Sequence, residues 1–343
     1  MRIVTANREE DGQLWQQFVE SRPEADNYHQ WGWKQVIERS FGWPTYYLMA
    51  ESDGRIRGIL PLVWQRSWAF GSFLTSLPFL NGGGVVAEDK EAEDALLQEA
   101  IALAQSLAAR HLELRHRRDH QLGLPARTNK VAVVQPVGPD AEYLFRSLRP
   151  RVRTKIRKAE KSGLTAEFVG RDGLDDFYGV FAENMRDLGT PVYSRDFFLE
   201  ILRALPTQAH ICVIRHQGKP VAASLLTGYR DTLEAGWIAS VHKYLELGPN
   251  VFLYWKMLCF AGERRYRILD FGRSTIGSGT HRFKMQFGSQ EVALHWDYWL
   301  QDASGLPQLN PENPRYRLAI WLWRKLPVGV TKLAGPRIVR WLP

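Results

Sequence analysis

The order of the predicted elements is the feature that most constrains the fold, because it occurs twice. Leu48–Val63 and Cys212–Leu226 each alternate as a β-hairpin does, with turn residues between two apolar runs. Glu91–His116 and Asn250–Phe271 each predict an apolar helix followed by a strand. Duplicated order at this scale indicates two copies of one α/β domain with mixed sheets, placed in tandem.

The chain has 343 residues, which is enough for two domains of ordinary size. The segment Pro136–Pro139 carries Pro and Gly between periodic stretches, so we expect an N-terminal domain at 1–139 and a second at 140–303. A basic, Trp-rich tail follows at 304–343. Its tryptophans and flanking cations fit either an interfacial membrane segment or a helix packed across the domains.

Composition narrows the class and the compartment. Hydrophobic residues make up 45% and aromatic residues 12%, as in a packed globular protein. Cys212 and Cys259 show no disulfide or metal-ligand spacing, so we expect no metal site. No signal peptide or membrane-spanning run is evident, which predicts a cytoplasmic protein. The net charge of +8 favours a polyanionic partner such as RNA, a nucleotide or an anionic membrane face, and nothing in the residues indicates an oligomeric state.

The stretch Leu269–Gln290 (LDFGRSTIGSGTHRFKMQFGSQ) combines a strand, a Gly-rich turn and a short basic segment. The unpaired N–H groups of such a turn, with Arg273 and Lys284 nearby, suit an anion or a developing oxyanion. Among its other polar groups, His281 is a candidate base, and Asp270 either binds a substrate amine or ends its strand beside Arg273. A purely connecting role for the turn is the alternative.

Two further groups of polar residues are candidates for binding. Arg153, Arg157 and Lys161 repeat every four residues on a predicted basic helix, so they share a face that suits phosphates, unless that face is simply solvated. Asn184, Arg186 and Tyr193 surround a helix-to-loop transition, where binding groups often lie.

These motifs resemble a known family. Arg153-x-x-Ile156-Arg157-Lys158-Ala159-Glu160-Lys161-x-Gly163, FYGVFAENMRDLGTPVYS and DFGRSTIGSGTHRFKMQFG, with PFLNGGGV and LELR, are similar to the FemAB-related proteins associated with the PEP-CTERM/exosortase system. That group lies within the Fem ligases, which carry two GNAT-type acyltransferase domains in tandem. The resemblance covers essentially the whole chain.

The resemblance implies an aminoacyl- or acyltransferase that acts on an amine of a cell-envelope precursor, from peptidoglycan or exopolysaccharide. Phe283-Lys284 matches the Phe-Lys pair that carries the catalytic lysine of Fem ligases, and we expect Phe283 to contact the substrate. Trp31 and Lys34 fall where those enzymes hold the acceptor, and Arg153–Lys161 matches the element that leads into their second domain. An ammonium at Lys284 would stabilise the tetrahedral oxyanion.

The donor is predicted from a departure from the GNAT pattern. Acyl-CoA enzymes of this fold cradle a pyrophosphate in a basic, Gly-rich loop before the long helix. Here His242–Asn250 has a single glycine, an acidic residue and a proline, and PFLNGGGV has no basic residue beside it. We therefore expect aminoacyl-tRNA as donor and no tightly bound cofactor. The alternatives are an N-acyltransferase that uses acyl-CoA or acyl carrier protein, and a non-catalytic RNA- or membrane-binding scaffold.

Overall fold

The computed structural model describes residues 1–67, 70–302, 305–306 and 314–341. These residues group into two compact units. Unit 1 comprises the described residues of Met1–Lys130, Ala293–Gln308 and Arg340–Pro343. Unit 2 comprises those of Val131–Val292 and Leu309–Val339.

Unit 1 is built on a mixed sheet. Its strands are β1 (Arg2–Thr5), β2 (Thr45–Ser52), β3 (Arg55–Ser67), β4 (Gly71–Thr75), β5 (Val86–Ala87), β6 (His111–His116), β7 (Ala126–Arg127) and, from late in the chain, β15 (His295–Leu300). The strand order is β1-β2-β3-β4-β6-β15-β7, with β5 beside β3. Its helices are α1 (Glu9–Ser21), α2 (Gly32–Phe41) and α3 (Lys90–Ser106).

Local sequence explains these elements. Asp53 and Gly54 both have positive φ and join Ser52 to its partner Arg55, as a two-residue hairpin turn requires. Asp89 accepts the N–H of Ala92 and so caps α3. The Ala/Leu face of α3 then packs on β2, β3 and β6. Because β4 and β6 are parallel, α3 is the crossover helix that connects them.

Unit 2 repeats the plan. Its strands are β8 (Lys130–Pro136), β9 (Leu164–Val169), β10 (Ala209–His216), β11 (Lys219–Tyr229), β12 (Thr232–Ser240), β13 (Ile268–Thr275) and β14 (Gln290–Ala293). Its helices are α4 (Ala141–Ser147), α5 (Pro150–Lys161), α6 (Leu174–Leu188), α7 (Arg195–Ala204), α8 (Pro249–Glu263), α9 (Gly279–Met285), α10 (Pro314–Lys325) and α11 (Val328–Val339). The strand order is β14-β8-β13-β12-β11-β10-β9.

The long helix α8 is apolar on nearly all sides because it is covered on nearly all sides. It crosses from β12 to the parallel strand β13 and packs against the sheet, with α4 and α5 on its other side. Phe252, Leu253 and Leu258 are 2% exposed or less and belong to one core cluster with the strands. This core fixes the position of β13, which carries the first residues of the candidate site.

The predicted mixed α/β class with two repeated sheets is confirmed. The division of the chain differs from the predicted one at 139/140. Strand β8 was expected to close the first domain but lies between β14 and β13 in the second sheet. The apolar stretch Val292–Leu300, whose alternation predicts one strand, spans two, β14 and β15, and β15 pairs with β6 in the first sheet. Periodicity cannot distinguish these arrangements, because any sheet edge offers the same backbone partners.

The predicted tail at 304–343 contains α10 and α11, while residues 304, 307–313 and 342–343 lie outside the described residues. Both helices contact α6. Arg324 donates to the carbonyl of Leu188 at 3.2 Å, and a Cβ at Gly335 would lie 2.8 Å from the backbone of Val192. One side of the tail therefore packs on unit 2.

Candidate functional site

The candidate site begins at a bend in β13. Glu234 on β12 stands opposite Asp270 in the parallel ladder. Two residues later Gly272 has φ +73, and its N–H donates to the Asp270 carboxylate at 2.7 Å. A Cβ at Gly272 would lie 3.2 Å from the carbonyl oxygen of Ala235. Glycine thus lets the strand turn past two buried carboxylates, Glu234 and Asp270, which are 3% and 0% exposed.

The short helix α9 brings the basic segment back to this bend. Ser278 caps the helix by accepting the N–H of His281 at 3.1 Å. The Nδ1 of His281 accepts the N–H of Gly277 at 3.3 Å, so Nε2 carries the proton and donates to Glu291 at 2.9 Å. Both ring nitrogens of His281 are therefore used in holding the turn. Its role as a base stays a prediction.

Lys284 occupies the centre of the site. Its side chain lies on the inner face of α9, and the residue is 4% exposed. The Nζ donates to the carbonyl oxygens of Gly272 and Arg273 at 2.9 and 3.0 Å. An ammonium has three donors, so one is left for a ligand after these two bonds.

The surroundings of Lys284 change its acidity. Burial is the largest effect and lowers the pKa of the ammonium to about 8. The carboxylates of Asp270 and Glu234 act in the opposite direction, and the Arg273 guanidinium adds to the lowering. Lys284 is thus still mainly an ammonium at neutral pH, but a more acidic one than a surface lysine.

Phe283 packs away from this centre. Its ring meets Tyr254 edge-on at 5.0 Å and Phe287 at 5.8 Å. These contacts tie α9 to α8 and hold the adjacent Lys284 in place. The predicted contact of Phe283 with substrate stays a prediction.

Of the predicted site residues in unit 2, the fold gathers Lys284, Asp270 and Arg273, with His281 and Phe283 on the same short helix. The other three predicted residues have structural contacts of their own. Asn184 donates to the carbonyl of Ser240 at 3.1 Å. Arg186 bonds Asp187 at 2.6 Å and the carbonyl of Leu326 at 3.2 Å, and Tyr193 packs on Phe197 with ring centroids 5.2 Å apart. Substrate binding by these three residues stays a prediction.

The predicted phosphate-binding residues lie on α5. Val152 and Ile156 turn the apolar face of this helix into the core. Arg153 is partly buried, while Arg157 and Lys161 are exposed, and none of the three is ion-paired to a carboxylate among the described residues. The Arg157 guanidinium lies 5.2 Å from the centre of the Phe145 ring.

Trp31 and Lys34 lie in unit 1, at the start of α2. Lys34 is 7% exposed, and its Nζ lies 2.5 Å from Glu38 Oε1 and 5.6 Å from the centre of the Trp31 ring. Trp31 packs against Trp15 and Tyr47, with ring centroids 6.0 and 5.5 Å apart. Whether these residues hold an acceptor stays a prediction.

Sequence patterns missed two features. Glu234 lies in a strand without a motif, and only the parallel register places it beside Asp270. The loop PFLNGGGV does have basic neighbours: Arg115 Nη1 donates to the carbonyls of Leu77 and Leu80, and His116 Nε2 accepts the N–H of Val85. Both side chains come from β6, more than thirty residues away in the chain.

In the part of the chain that the structure describes, no cluster of His, Cys, Asp and Glu is arranged to hold a metal ion. The helices of the same part include none with the length and apolar character needed to span a bilayer.

Comparison with known proteins agrees with this geometry. Residues 146–285, which end just after Lys284, match the family described as "Acetyltransferase (GNAT) domain". The lipid II:glycine glycyltransferase of Staphylococcus haemolyticus is 25% identical over 90% of this chain and 86% of its own length. The enzyme of the same name from Staphylococcus aureus is 26% identical over 53% of this chain, and that match spans 46% of the staphylococcal enzyme.

Solved structures show the same fold. FemX superposes with a TM-score of 0.66 at 16% identity, over 86% of this chain and 97% of FemX. A tandem GNAT protein from the clavulanic acid biosynthesis pathway superposes with a TM-score of 0.55 at 12% identity, over 89% and 98% of the two chains. The fold and the matched domain together define a transferase of the tandem GNAT class.

Within that class, the chain is a homologue of the Fem aminoacyltransferases, as its sequence motifs predicted. The narrower association with the PEP-CTERM/exosortase system stays a prediction.

Proposed function

We propose that this protein transfers an aminoacyl or acyl group from an activated ester to an amine of a cell-envelope precursor, with Lys284 as the group that stabilises the transition state. One observation carries the proposal. A buried ammonium with a pKa lowered to about 8 is held by two backbone carbonyls and has one donor left, within the GNAT-matched segment. A surface lysine would have no such constraints.

The chemistry follows from the position of that donor. The acceptor amine attacks the ester carbonyl, a C–N bond forms, and the displaced electron pair moves onto the carbonyl oxygen. The remaining N–H of Lys284 donates to this oxyanion more strongly than to the neutral carbonyl. Collapse breaks the C–O bond, and the proton lost by the amine goes to the departing oxygen. Asp270 and Glu234 support the step because their carboxylates favour the ammonium form of Lys284.

For the donor, we favour an aminoacyl-tRNA and no tightly bound cofactor. Arg153, Arg157 and Lys161 share one helix in which Glu160 is the single acidic residue, so α5 offers positive charge to a polyanion. Such phosphate contacts position a nucleic acid without reading its sequence. They would add to affinity and make it fall with salt.

Acyl-CoA is the second candidate donor, and one contact favours it. The N-terminus of α8 has no side-chain cap, and its N-cap residue Gly248 lies against Ala159 of the basic helix α5. Open amides beside cations can hold a pyrophosphate. Pro249 removes one of those amides, so we rank this donor second.

For the acceptor, we favour a peptidoglycan precursor, because the related staphylococcal enzymes are named lipid II:glycine glycyltransferases. An exopolysaccharide precursor with a free amine is the alternative. Trp31 and Lys34 are the residues of unit 1 that we assign to the acceptor.

We also propose that the protein is cytoplasmic and rests on the inner face of the cytoplasmic membrane through α10 and α11. Residues 314–341 contain seven Arg and Lys and no Asp or Glu. Seven of their large apolar side chains are exposed: Leu318, Trp321, Leu322, Val330, Leu333, Ile338 and Trp341. Cations beside exposed Trp and Leu favour an anionic bilayer surface.

Flotation of the full chain with anionic vesicles tests the membrane contact. Trp321→Glu with Leu333→Glu should abolish flotation, whereas Leu14→Glu, an exposed leucine on α1, should leave it unchanged. Flotation that survives the double substitution would contradict the contact.

Turnover tests the transferase. Aminoacyl-tRNA, acyl-CoA and acyl carrier protein are compared as donors to lipid-linked and soluble precursors. Lys284→Met should lower kcat by roughly two to three orders of magnitude, because it removes one oxyanion donor. The matched control is Lys219→Met, which removes an exposed lysine at the start of β11. Full activity in Lys284→Met would refute the assignment.

A further inference from the structure

Unit 1 contains a cavity of about 650 Å³ that none of the residues assigned to the transfer reaction lines. It lies beside the C-terminal end of α2, the end of β3 and the start of β4. Its lining residues are Gly42, Trp43, Pro44, Trp64, Arg66, Ser67, Gly71, Ser72, Arg340 and Trp341. Three tryptophans and two arginines thus face one space.

Two of the aromatic walls are fixed in place. Trp43 is 5% exposed and stacks on Phe41, with ring centroids 4.5 Å apart and planes 12° from parallel. The indole N–H of Trp64 donates to Ser72 Oγ at 2.8 Å. The cavity therefore exists before any ligand arrives, which limits the entropy lost on binding.

The cations of the cavity have aromatic partners and lack acidic ones. The Arg66 guanidinium lies 5.3 Å from the centre of the Trp64 ring, and that of Arg340 lies 6.0 Å from Trp341. Neither arginine is ion-paired to a carboxylate among the residues that the structure describes. A third guanidinium, of Arg110, covers Gly71 at the edge, where a Cβ would lie 2.8 Å from its Nε. Three positive groups around one opening attract an anion.

The lining offers few polar groups to an anion that carries a sugar or a base. Ser72 Oγ accepts the Trp64 indole N–H, and Ser67 Oγ accepts the N–H of Phe70 at 3.2 Å. No described lining residue is an Asp, Glu, Asn, Gln or His. Sugar hydroxyls and base edges would therefore lose hydrogen bonds to water with few replacements. A hydrocarbon chain has none to lose.

We infer that this cavity binds a phosphate carried on an apolar chain, that is, a phosphorylated lipid, with the chain against Trp43 and Trp64 and the phosphate between Arg66 and Arg340. Planar guanidinium groups bind phosphate oxygens with two parallel hydrogen bonds. The inference does not depend on the proposed transfer reaction, because Lys284, Trp31 and Lys34 do not line the cavity.

Calorimetry on the full chain tests the inference with dihexanoyl phosphatidic acid below its micelle concentration. We expect one molecule to bind per chain. Dihexanoyl glycerol, inorganic phosphate and AMP separate the contributions of chain, phosphate and base, and each should bind at least roughly tenfold more weakly. Lys284→Met should bind the lipid as the parent does.

Arg66→Gln should weaken binding of the lipid about tenfold or more. Because Arg66 is exposed, this variant should fold as the parent does. Arg55→Gln removes the same charge from the same strand outside the cavity and should have little effect. Equal affinities of the parent and Arg66→Gln, an equal loss in Arg55→Gln, or tighter binding of AMP than of the lipid would overturn the inference.

Discussion

The buried ammonium of Lys284 makes a prediction that needs no substrate. The pKa of this lysine falls from the ordinary 10.5 to about 8 on folding, mainly because burial removes water from the charge. These two pKa values differ by about 2.5 units. At a pH between them, the folded chain has released the proton of Lys284 while the unfolded chain still binds it. Raising the pH through this window therefore stabilises the folded state.

The size of the effect follows from the same two values. Proton release from Lys284 adds almost nothing to the free energy of unfolding at pH 7 and about 2.5 kcal/mol at pH 10. Lys284→Met has no proton to release, so it should not show this rise. The difference in unfolding free energy between the parent and Lys284→Met should thus change by about 2.5 kcal/mol over that range, in favour of the parent.

Urea unfolding at a series of pH values from 7 to 10 measures this difference, because other titrating groups cancel between the two proteins. Lys219→Met is the control, since it removes an exposed lysine. Its difference from the parent should stay nearly flat. A flat difference for Lys284→Met as well would refute the conclusion that burial makes this ammonium acidic.

Three further predictions test the surroundings of the site. Glu234→Gln removes a carboxylate that favours the ammonium, so the pKa of Lys284 should fall further and the stability rise should begin at lower pH in the same urea series. Gly272→Ala places a Cβ at φ +73 and should cost about 1–2 kcal/mol of unfolding free energy, whereas Gly236→Ala on the neighbouring strand meets nothing within 4 Å and should cost little; equal effects would contradict the steric reason. Ser194→Ala removes the cap of α7, where Ser194 accepts the N–H of Phe197 at 3.1 Å, and should cost about 1 kcal/mol, while Ser194→Asp keeps an acceptor and should restore most of it.

The chemical character of the site could be predicted from one stretch of sequence, but its electrostatics could not. The Gly-rich turn, the short basic helix and Lys284 are contiguous, and their similarity to the Fem motif pointed to that residue. Glu234 comes from a strand thirty-six residues before Asp270, so its presence depends on the parallel register of β12 and β13. A pKa depends on which groups and how much water surround an atom, and neither is a local property of the chain.

Local patterns alone determined most of the elements of this protein. Alternation, helical periodicity and turn residues are properties of a few neighbouring residues, and strands such as β6 and β10 lie where those patterns predict them. Tertiary structure decided which sheet each strand joins: β8 entered the second sheet, and β15 returned to the first. It also decided that Arg115 and His116 hold the glycine loop, that Lys284 is buried, and that Arg66 and Arg340 face one cavity. Strand edges offer identical hydrogen-bonding groups, so pairing among distant strands is chosen by the packing of whole cores, which no short stretch of sequence contains.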